Sequence, residues 1–120
     1  MTTRSTLESL DIDDRTLLRL QILFEEHTII LNIEDENNDN TLYCLTFGKV
    51  HAFFTNTPTL LAFPQARIVA LQWQQLQDNQ FRAELFLDIR FSATVLIFTI
   101  VFETLHIQLV DTLHSPTLLL

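Results

Sequence analysis

The feature that most restricts the fold of this sequence is residues 91–110, FSATVLIFTIVFETLHIQLV. In an extended chain, successive side chains point to opposite faces. Phe98 and Ile100 then share one face while Ile97 and Val101 share the other, so both faces are apolar. This pattern predicts a strand that is buried on both sides.

A second stretch with the same layout lies about 55 positions upstream, in residues 41–55, TLYCLTFGKVHAFFT. In both stretches the apolar alternation slips by one residue. The slip predicts a bulge or tight bend at Gly48 and Lys49 and another at Glu103 and Thr104, because an uncorrected slip would expose the core face. The matched positions are Phe47 with Phe102, Val50 with Leu105, and His51 with His106.

A hairpin is predicted before each long strand, with its turn at residues 25–27 in the first case and at residues 77–79 in the second. The order strand, turn, strand, loop and long bent strand therefore occurs twice. This order predicts an internal duplication with repeat halves 15–55 and 66–110.

Local signals predict little helix. Ser5 and Glu8 have the spacing of a capping box, which favours one short helical turn near the N-terminus. Pro58 favours another turn in the connector between the halves. Residues 35–40, DENNDN, contain no hydrophobic residue and predict a loop.

Together these patterns predict an all-β or mainly β fold, an antiparallel sandwich or flattened barrel of about seven or eight strands with at most one or two short helices. The 120 residues, 48% of them hydrophobic, suit a single β-rich domain over residues 1–120. The predicted core consists of Leu20, Ile22, Leu31, Ile33, Leu45, Phe47, Val50, Leu85, Leu87, Phe98, Ile100, Phe102, Leu105 and Ile107.

The charge of the chain narrows the class of partner. Its formal net charge is −8, and ten of its fifteen acidic residues lie in residues 1–55. This excess disfavours nucleic acid or an anionic membrane and favours a basic protein partner, although acidic loops also keep proteins soluble and protect strand edges. The predicted partner-binding residues are Glu34, Asp35, Glu36, Asp39, Asp11, Asp13 and Asp14.

Several features predict a cytoplasmic protein. Cys44 is the single cysteine and is expected to be a small buried side chain in a reducing compartment. The N-terminal residues MTTRSTLESLDIDD lack the apolar core of a secretory signal. The uncharged run between Arg90 and Glu103 is 12 residues, too short to cross a bilayer as a helix.

No pattern typical of a catalytic or cofactor site is present in the sequence. Gly48 is the single glycine, which excludes a glycine-rich phosphate-binding loop. His51 and His106 occupy matching positions, but no third and fourth metal ligands recur at matching spacing. We therefore expect no enzymatic activity, no metal site and no cofactor.

The long strand ending LTFGKVHAFF, the later pattern FRAELFLDIR and the run VLIFTIVFETLHIQL resemble the immunity proteins of bacterial polymorphic toxin and contact-dependent inhibition systems. The resemblance covers roughly residues 15–110. It implies a cytoplasmic protein that binds and neutralises one cognate toxin domain, often a basic nuclease, through an acidic surface.

Three alternatives remain open at this stage. Phe53, Phe54, Phe81 and Phe86 are candidates to line an apolar cavity of a ligand-binding β-barrel. A homo-oligomeric structural β protein would associate through Trp73 or the three terminal leucines. Acidic clusters at phosphate-like spacing would suit a DNA-mimicking inhibitor.

Overall fold

The structure is a computed structural model that describes residues 2–35, 40–56, 66–88 and 95–111. These residues form one short helix and eight strands, and every strand pair is antiparallel, which confirms the predicted mainly β class. The elements are α1 (Thr3–Ser9), β1 (Thr16–Leu23), β2 (Thr28–Glu34), β3 (Thr41–Gly48), β4 (Ala52–Thr55), β5 (Ala66–Gln77), β6 (Gln80–Asp88), β7 (Val95–Phe102) and β8 (Thr104–Asp111).

The eight strands form a single sheet that does not close, in the order β4-β7-β6-β5-β1-β2-β3-β8. Each half contributes a meander of three strands, and its fourth strand crosses to pair with the third strand of the other half. Exchanging β1–β4 with β5–β8 leaves this order unchanged. The strand order is therefore symmetric between the two halves.

The two predicted bends are present and lie against each other. The first separates β3 from β4 at residues 49–51, where Lys49 has a φ of 50°. The second is Glu103, between β7 and β8. The backbone N–H of Glu103 donates to the carbonyl of Gly48 over 3.2 Å, and that of His51 donates to Val101 over 2.7 Å. The crossing point of the two halves is therefore joined by backbone hydrogen bonds.

The core lies on one face of the strands. On β7 the inner residues Leu96, Phe98, Ile100 and Phe102 are all at most 2% exposed. The outer face of this strand is covered less evenly, because Thr99 is 3% exposed and Val95 is 43% exposed. The prediction of burial on both sides is thus right for the inner face. On the outer face, Ile97 and Val101 are only half-buried, and the prediction is wrong at Val95, the first residue of the strand.

Most of the predicted core is confirmed. Leu20, Ile22 and Val50 are half-buried and pack against the core. The prediction is wrong for Ile107, which is 37% exposed on β8, an edge strand with a sheet neighbour on one side only. The confirmed core residues are Leu31, Ile33, Leu45, Phe47, Leu85, Leu87, Phe98, Ile100, Phe102 and Leu105.

A β-bulge on β5 changes which residues face the core. Strict alternation would place Ile68 opposite Leu71 and Trp73, but the register shifts between Ile68 and Ala70. A bulge inserts one extra residue into one strand of a pair. Ile68 is consequently fully buried, and Leu71 and Trp73 also pack against the core.

Helix α1 begins one turn earlier than the predicted capping box. Thr2 is the N-cap, and its side chain and that of Ser5 satisfy each other's backbone N–H groups. Glu8 instead pairs with Arg4, four residues earlier, at 2.8 Å. Leu7 is 2% exposed and joins the core. The predicted turn at Pro58 lies outside the described residues, as do the terminal leucines.

Within the described residues, no helix has both the length and the apolar character needed to cross a membrane.

Candidate functional site

An open apolar cleft of about 350 Å³ lies between the turn that joins β1 to β2 and the chain around the start of β4. We call it the hairpin cleft. Its lining residues are Ile22, Leu23, Phe24, His27, Thr28, Ile29, Val50, His51, Ala52 and Phe53.

Local backbone bonds fix the two walls of the hairpin cleft. Leu23 pairs with Thr28, so the connecting turn is tight, and the N–H of His27 donates to the carbonyl of Phe24 over 3.3 Å. His27 has a φ of 50°, which ends the turn. The N–H of Val50 donates to the carbonyl of His27 over 2.8 Å, so the bend before β4 is attached directly to the hairpin.

Aromatic rings connect the hairpin cleft to the core. The Phe24 and Phe53 ring centroids are 5.8 Å apart, and Phe53 stacks on the fully buried Phe98 at 6.1 Å. Phe24 is 71% exposed. A large apolar side chain exposed beside an apolar cleft is typical of a binding surface rather than of a closed core.

The rim of the hairpin cleft is polar. Glu25 and Glu26 are exposed on the hairpin turn, and Lys49 is exposed on the bend opposite. His51 Nε2 lies 2.7 Å from Glu103 Oε2. The acidic groups outnumber the lysine at this rim, so a cationic ligand is favoured over an anionic one.

In the second half, α1 lies against β8 and beside β5, the strands that correspond to β4 and β1 at the hairpin cleft. Exchange of the halves relates β4 to β8 and β1 to β5. Helix α1 contacts β8, the Thr3 hydroxyl donates to the carbonyl of Glu103 over 2.9 Å, and the Arg4 guanidinium donates to Gln75 Oε1 of β5 over 2.9 Å. We call this arrangement of β8, Glu103 and Gln75 the α1 seat.

The structure places Asp11, Asp13 and Asp14 in the segment that leads into β1. Asp13 accepts a hydrogen bond from the backbone N–H of Leu71 over 3.2 Å, and Asp14 forms an ion pair with Arg67 at 2.8 Å. Asp11 is exposed. Two of these three carboxylates therefore help to attach the segment to β5, while Asp11 stands free of such contacts.

The predicted residues near the end of β2 have different surroundings. Glu34 is half-buried, and Asp35 is 8% exposed and accepts a hydrogen bond from the Thr41 hydroxyl over 2.7 Å. The carboxylate of Asp35 is thus oriented by the sheet itself. Glu36 and Asp39 lie outside the described residues.

Strand register brings the two predicted acidic segments to one end of the sheet. Leu17 of β1 pairs with both Ile33 of β2 and Ala66 of β5. The chain entering β1 and the chain leaving β2 therefore lie at the same end of these strands. The hairpin cleft lies at the opposite end of β1, so the predicted acidic residues do not form its rim.

Internal ion pairs neutralise much of the positive charge. Arg4 pairs with Glu8, Arg67 with Asp14 and Asp88, and Arg82 with Glu84. Arg15 lies over the Tyr43 ring, 5.0 Å from its centroid. Within the described part of the chain, four exposed acids have neither an ion pair nor a side-chain hydrogen bond, namely Asp11, Glu25, Glu26 and Asp78.

The two matched histidines have different surroundings. His106 lies on β8 opposite Thr46, whereas His51 lies in the bend before β4 and contacts Glu103. In the described ranges, no three His, Cys, Asp or Glu side chains are grouped as metal ligands would be. Cys44 is half-buried in the sheet between Asn32 and Gln108.

Sequence reasoning missed Phe24 and the hairpin cleft. The alternation of β1 continues through Phe24, which suggests one more strand residue. The available signal was the position of this ring directly before Glu25 and Glu26, where the alternation of β1 gives way to a charged turn.

Compared with models of known protein families and with curated protein sequences, the chain matches none of them. The fold and the cleft define this protein as a small antiparallel β protein with an open apolar cleft beside its first hairpin.

Proposed function

We propose that the chain is a small cytoplasmic acidic binding protein that neutralises a basic protein partner, as an immunity protein neutralises its toxin domain. The observation that carries this proposal is the arrangement of charge. Three arginines are used in internal ion pairs, while Asp11, Glu25, Glu26 and Asp78 remain exposed and unpaired among the described residues.

Fixed negative charge on a rigid sheet accelerates association with a basic partner and sets the orientation in which the two dock. Neutralisation then follows from covering the surface that the partner needs for its own activity. The chain itself supplies no chemistry in this mechanism, so binding alone accounts for inhibition.

The first test is capture of partners from a lysate of the native host, with the tagged protein at low and then raised salt and identification by mass spectrometry. We expect one basic protein whose capture is lost at raised salt, because exposed charges are screened within about 10 Å at 0.1 M salt. Capture of no protein, or of a partner that is not basic and is insensitive to salt, would contradict the proposal.

Matched variants then separate local from overall charge. Asp11→Asn with Glu25→Gln and Glu26→Gln raises the net charge by three. We expect it to slow association with the captured partner about tenfold at low salt. The control raises the net charge equally by Gln72→Lys, Gln74→Lys and Gln108→Lys, at exposed positions on β5 and β8. Equal slowing by both variants would show that the unpaired acids have no special role.

The hairpin cleft favours a second candidate function, binding of an apolar small molecule. Its volume of about 350 Å³ lies within the roughly 300–1,000 Å³ typical of small-molecule pockets. Of the four predicted cavity phenylalanines, Phe53 lines the cleft, Phe81 is buried in the core and Phe54 is 52% exposed. Phe86 is half-buried on β6. A native mass spectrum with a co-purified apolar ligand would support this function.

The oligomeric alternative has less support from the structure. Trp73 is half-buried, packs against the core and lies 6.4 Å from Phe81 between ring centroids. A concentration-dependent mass in solution would favour this alternative.

A further inference from the structure

We propose that the hairpin cleft is the docking site for a short apolar helix of the protein partner, flanked by basic residues and held as α1 is held in the other half. This inference rests on the proposed function, because it assigns the place where the partner inserts an apolar side chain. It adds a specific contact to charge attraction, because charge attraction speeds the approach of the partner but does not define where an apolar side chain is bound.

The α1 seat shows what this fold binds at such a place. Leu7 of α1 is 2% exposed and belongs to the core, so the seat accepts a leucine from a helix of seven residues. Two polar contacts to Glu103 and Gln75 hold the helix in position. A short helix is marginal alone and gains its stability from such packing.

The hairpin cleft has the same strand surroundings without an occupant among the described residues. Where the seat uses β8 and β5, the cleft uses the start of β4 and the end of β1. Phe24 is 71% exposed and contacts Phe53, which stacks on the core. An apolar side chain placed here would remove the Phe24 ring from water and extend the row of rings that begins at Phe98.

Charge selects the kind of helix. Glu25 and Glu26 are unpaired at the rim, and the whole chain carries −8. A second copy of this chain would be repelled, and its α1 is already held on its own sheet with Leu7 buried. A basic segment with a leucine-like anchor satisfies both the rim and the apolar walls.

The probe for the test is a labelled synthetic peptide of residues 2–13 with the changes Glu8→Lys, Asp11→Lys and Asp13→Lys. It keeps the apolar Leu7, Leu10 and Ile12 of the segment that begins with α1 and makes the peptide basic. We expect saturable binding to the full chain below about 1 mM, measured by fluorescence anisotropy. NMR shift changes on binding are expected at residues 22–29 and 50–53.

Two exposed phenylalanines provide matched variants of the chain. Phe24→Ala removes a cleft ring that is 71% exposed, and we expect it to weaken peptide binding at least tenfold while the fold is retained. Phe54→Ala removes a ring that is 52% exposed on the face of β4 opposite to Phe53, and binding should stay within twofold of wild type. A peptide with Leu7→Ala should bind the wild-type chain about as weakly as the original peptide binds the Phe24→Ala chain.

Several results would overturn the inference. They are the absence of saturable binding, equal effects of Phe24→Ala and Phe54→Ala, and NMR shift changes confined to the end of the sheet where the chain enters β1 and leaves β2. A co-purified small molecule lost in the Phe24→Ala protein would also overturn it, because the occupant would then not be a helix.

The proposed function fails separately from this inference. If Phe24→Ala still captures a basic partner with unchanged affinity, the acidic surface acts without the cleft, and only the inference is wrong. If the peptide binds the cleft and no basic protein is captured from the lysate, the docking site stands and the neutralising function is wrong.

Discussion

The α1 seat and the hairpin cleft lie against corresponding strands of a sheet whose strand order is symmetric between the two halves. In the second half, α1 lies against β8 and buries Leu7. In the first half, the corresponding strand β4 and the β1–β2 hairpin leave Phe24 71% exposed. The comparison shows that two halves with matching strand order are not covered by the same means, which is why we propose the open cleft as the docking site.

The aromatic residues beside the two places also differ in exposure, with the more exposed ring at the hairpin cleft. In the second half, Trp73 and Phe81 lie 6.4 Å apart, and Phe81 is 4% exposed. In the first half, Phe24 and Phe53 lie 5.8 Å apart, and Phe24 is exposed. Phe81 contributes to folding because it is removed from water, and Trp73 packs against the core while half-buried. The exposed Phe24 ring, in contrast, has its apolar surface free for binding.

The largest expected effect tests whether the two halves are equivalent at their crossing point. Phe47 and Phe102 occupy matching positions, are at most 1% exposed, and meet edge to face with centroids 4.8 Å apart. We expect Phe47→Ala and Phe102→Ala each to lower the free energy of unfolding by about 3–5 kcal/mol, measured by urea denaturation. Similar losses would support equivalence of the halves.

The double variant measures the contact itself. An edge-to-face aromatic pair is worth about 0.5–1.5 kcal/mol beyond its area, so the two losses should fall short of additivity by about that amount. Strict additivity, or a loss at one position several times that at the other, would break the equivalence.

The next effect concerns the filled and open places. Leu7→Ala should lower the free energy of unfolding by about 2–3 kcal/mol, the lower part of the range for a buried leucine, because a helix of seven residues can shift to fill the space. Phe24→Ala should change it by less than about 1 kcal/mol, because the ring is 71% exposed. A large loss for Phe24→Ala would mean that this ring supports the fold rather than binding.

Sequence reasoning succeeded where the cause of structure is local. Alternation with a period of two predicts which side of β6 and β7 is buried, and the slips at Gly48 and Glu103 mark both bends. The bulge between Ile68 and Ala70 was missed because a degenerate apolar run fits either phase. The choice of Thr2 rather than Ser5 as the N-cap was missed because both residues have suitable side chains.

The pairing of β4 with β7 and of β8 with β3, each in the other half, could not be predicted from local sequence patterns. Edge pairing is decided by which backbone lies nearby after the bends, and that depends on the whole sheet. The hairpin cleft was missed for the same reason, since the exposure of Phe24 depends on the distant bend at Val50. The sequence located the predicted acids along the chain but not their contacts. Asp14 pairs with Arg67 and Asp13 accepts from the backbone of Leu71, so both are less available to a partner.

The smallest effect sharpens the difference between the two bends. Gly48 of the first bend pairs with Thr104, and a Cβ at Gly48 would lie 2.3 Å from Thr104 Oγ1. The matching position of the second bend is Glu103, which already carries a side chain. We expect Gly48→Ala to cost about 1–2 kcal/mol in the free energy of unfolding, because Thr104 must leave its preferred rotamer.

Thr104→Ala removes the atom responsible, since the next nearest atom, Thr104 Cβ, is at an ordinary contact distance of 3.7 Å. The double variant Gly48→Ala with Thr104→Ala should therefore be about as stable as Thr104→Ala alone. If Gly48→Ala costs the same in both backgrounds, the close approach of β8 does not explain the glycine. Because Gly48 does not have a positive φ, crowding by Thr104 is the explanation that the double variant tests.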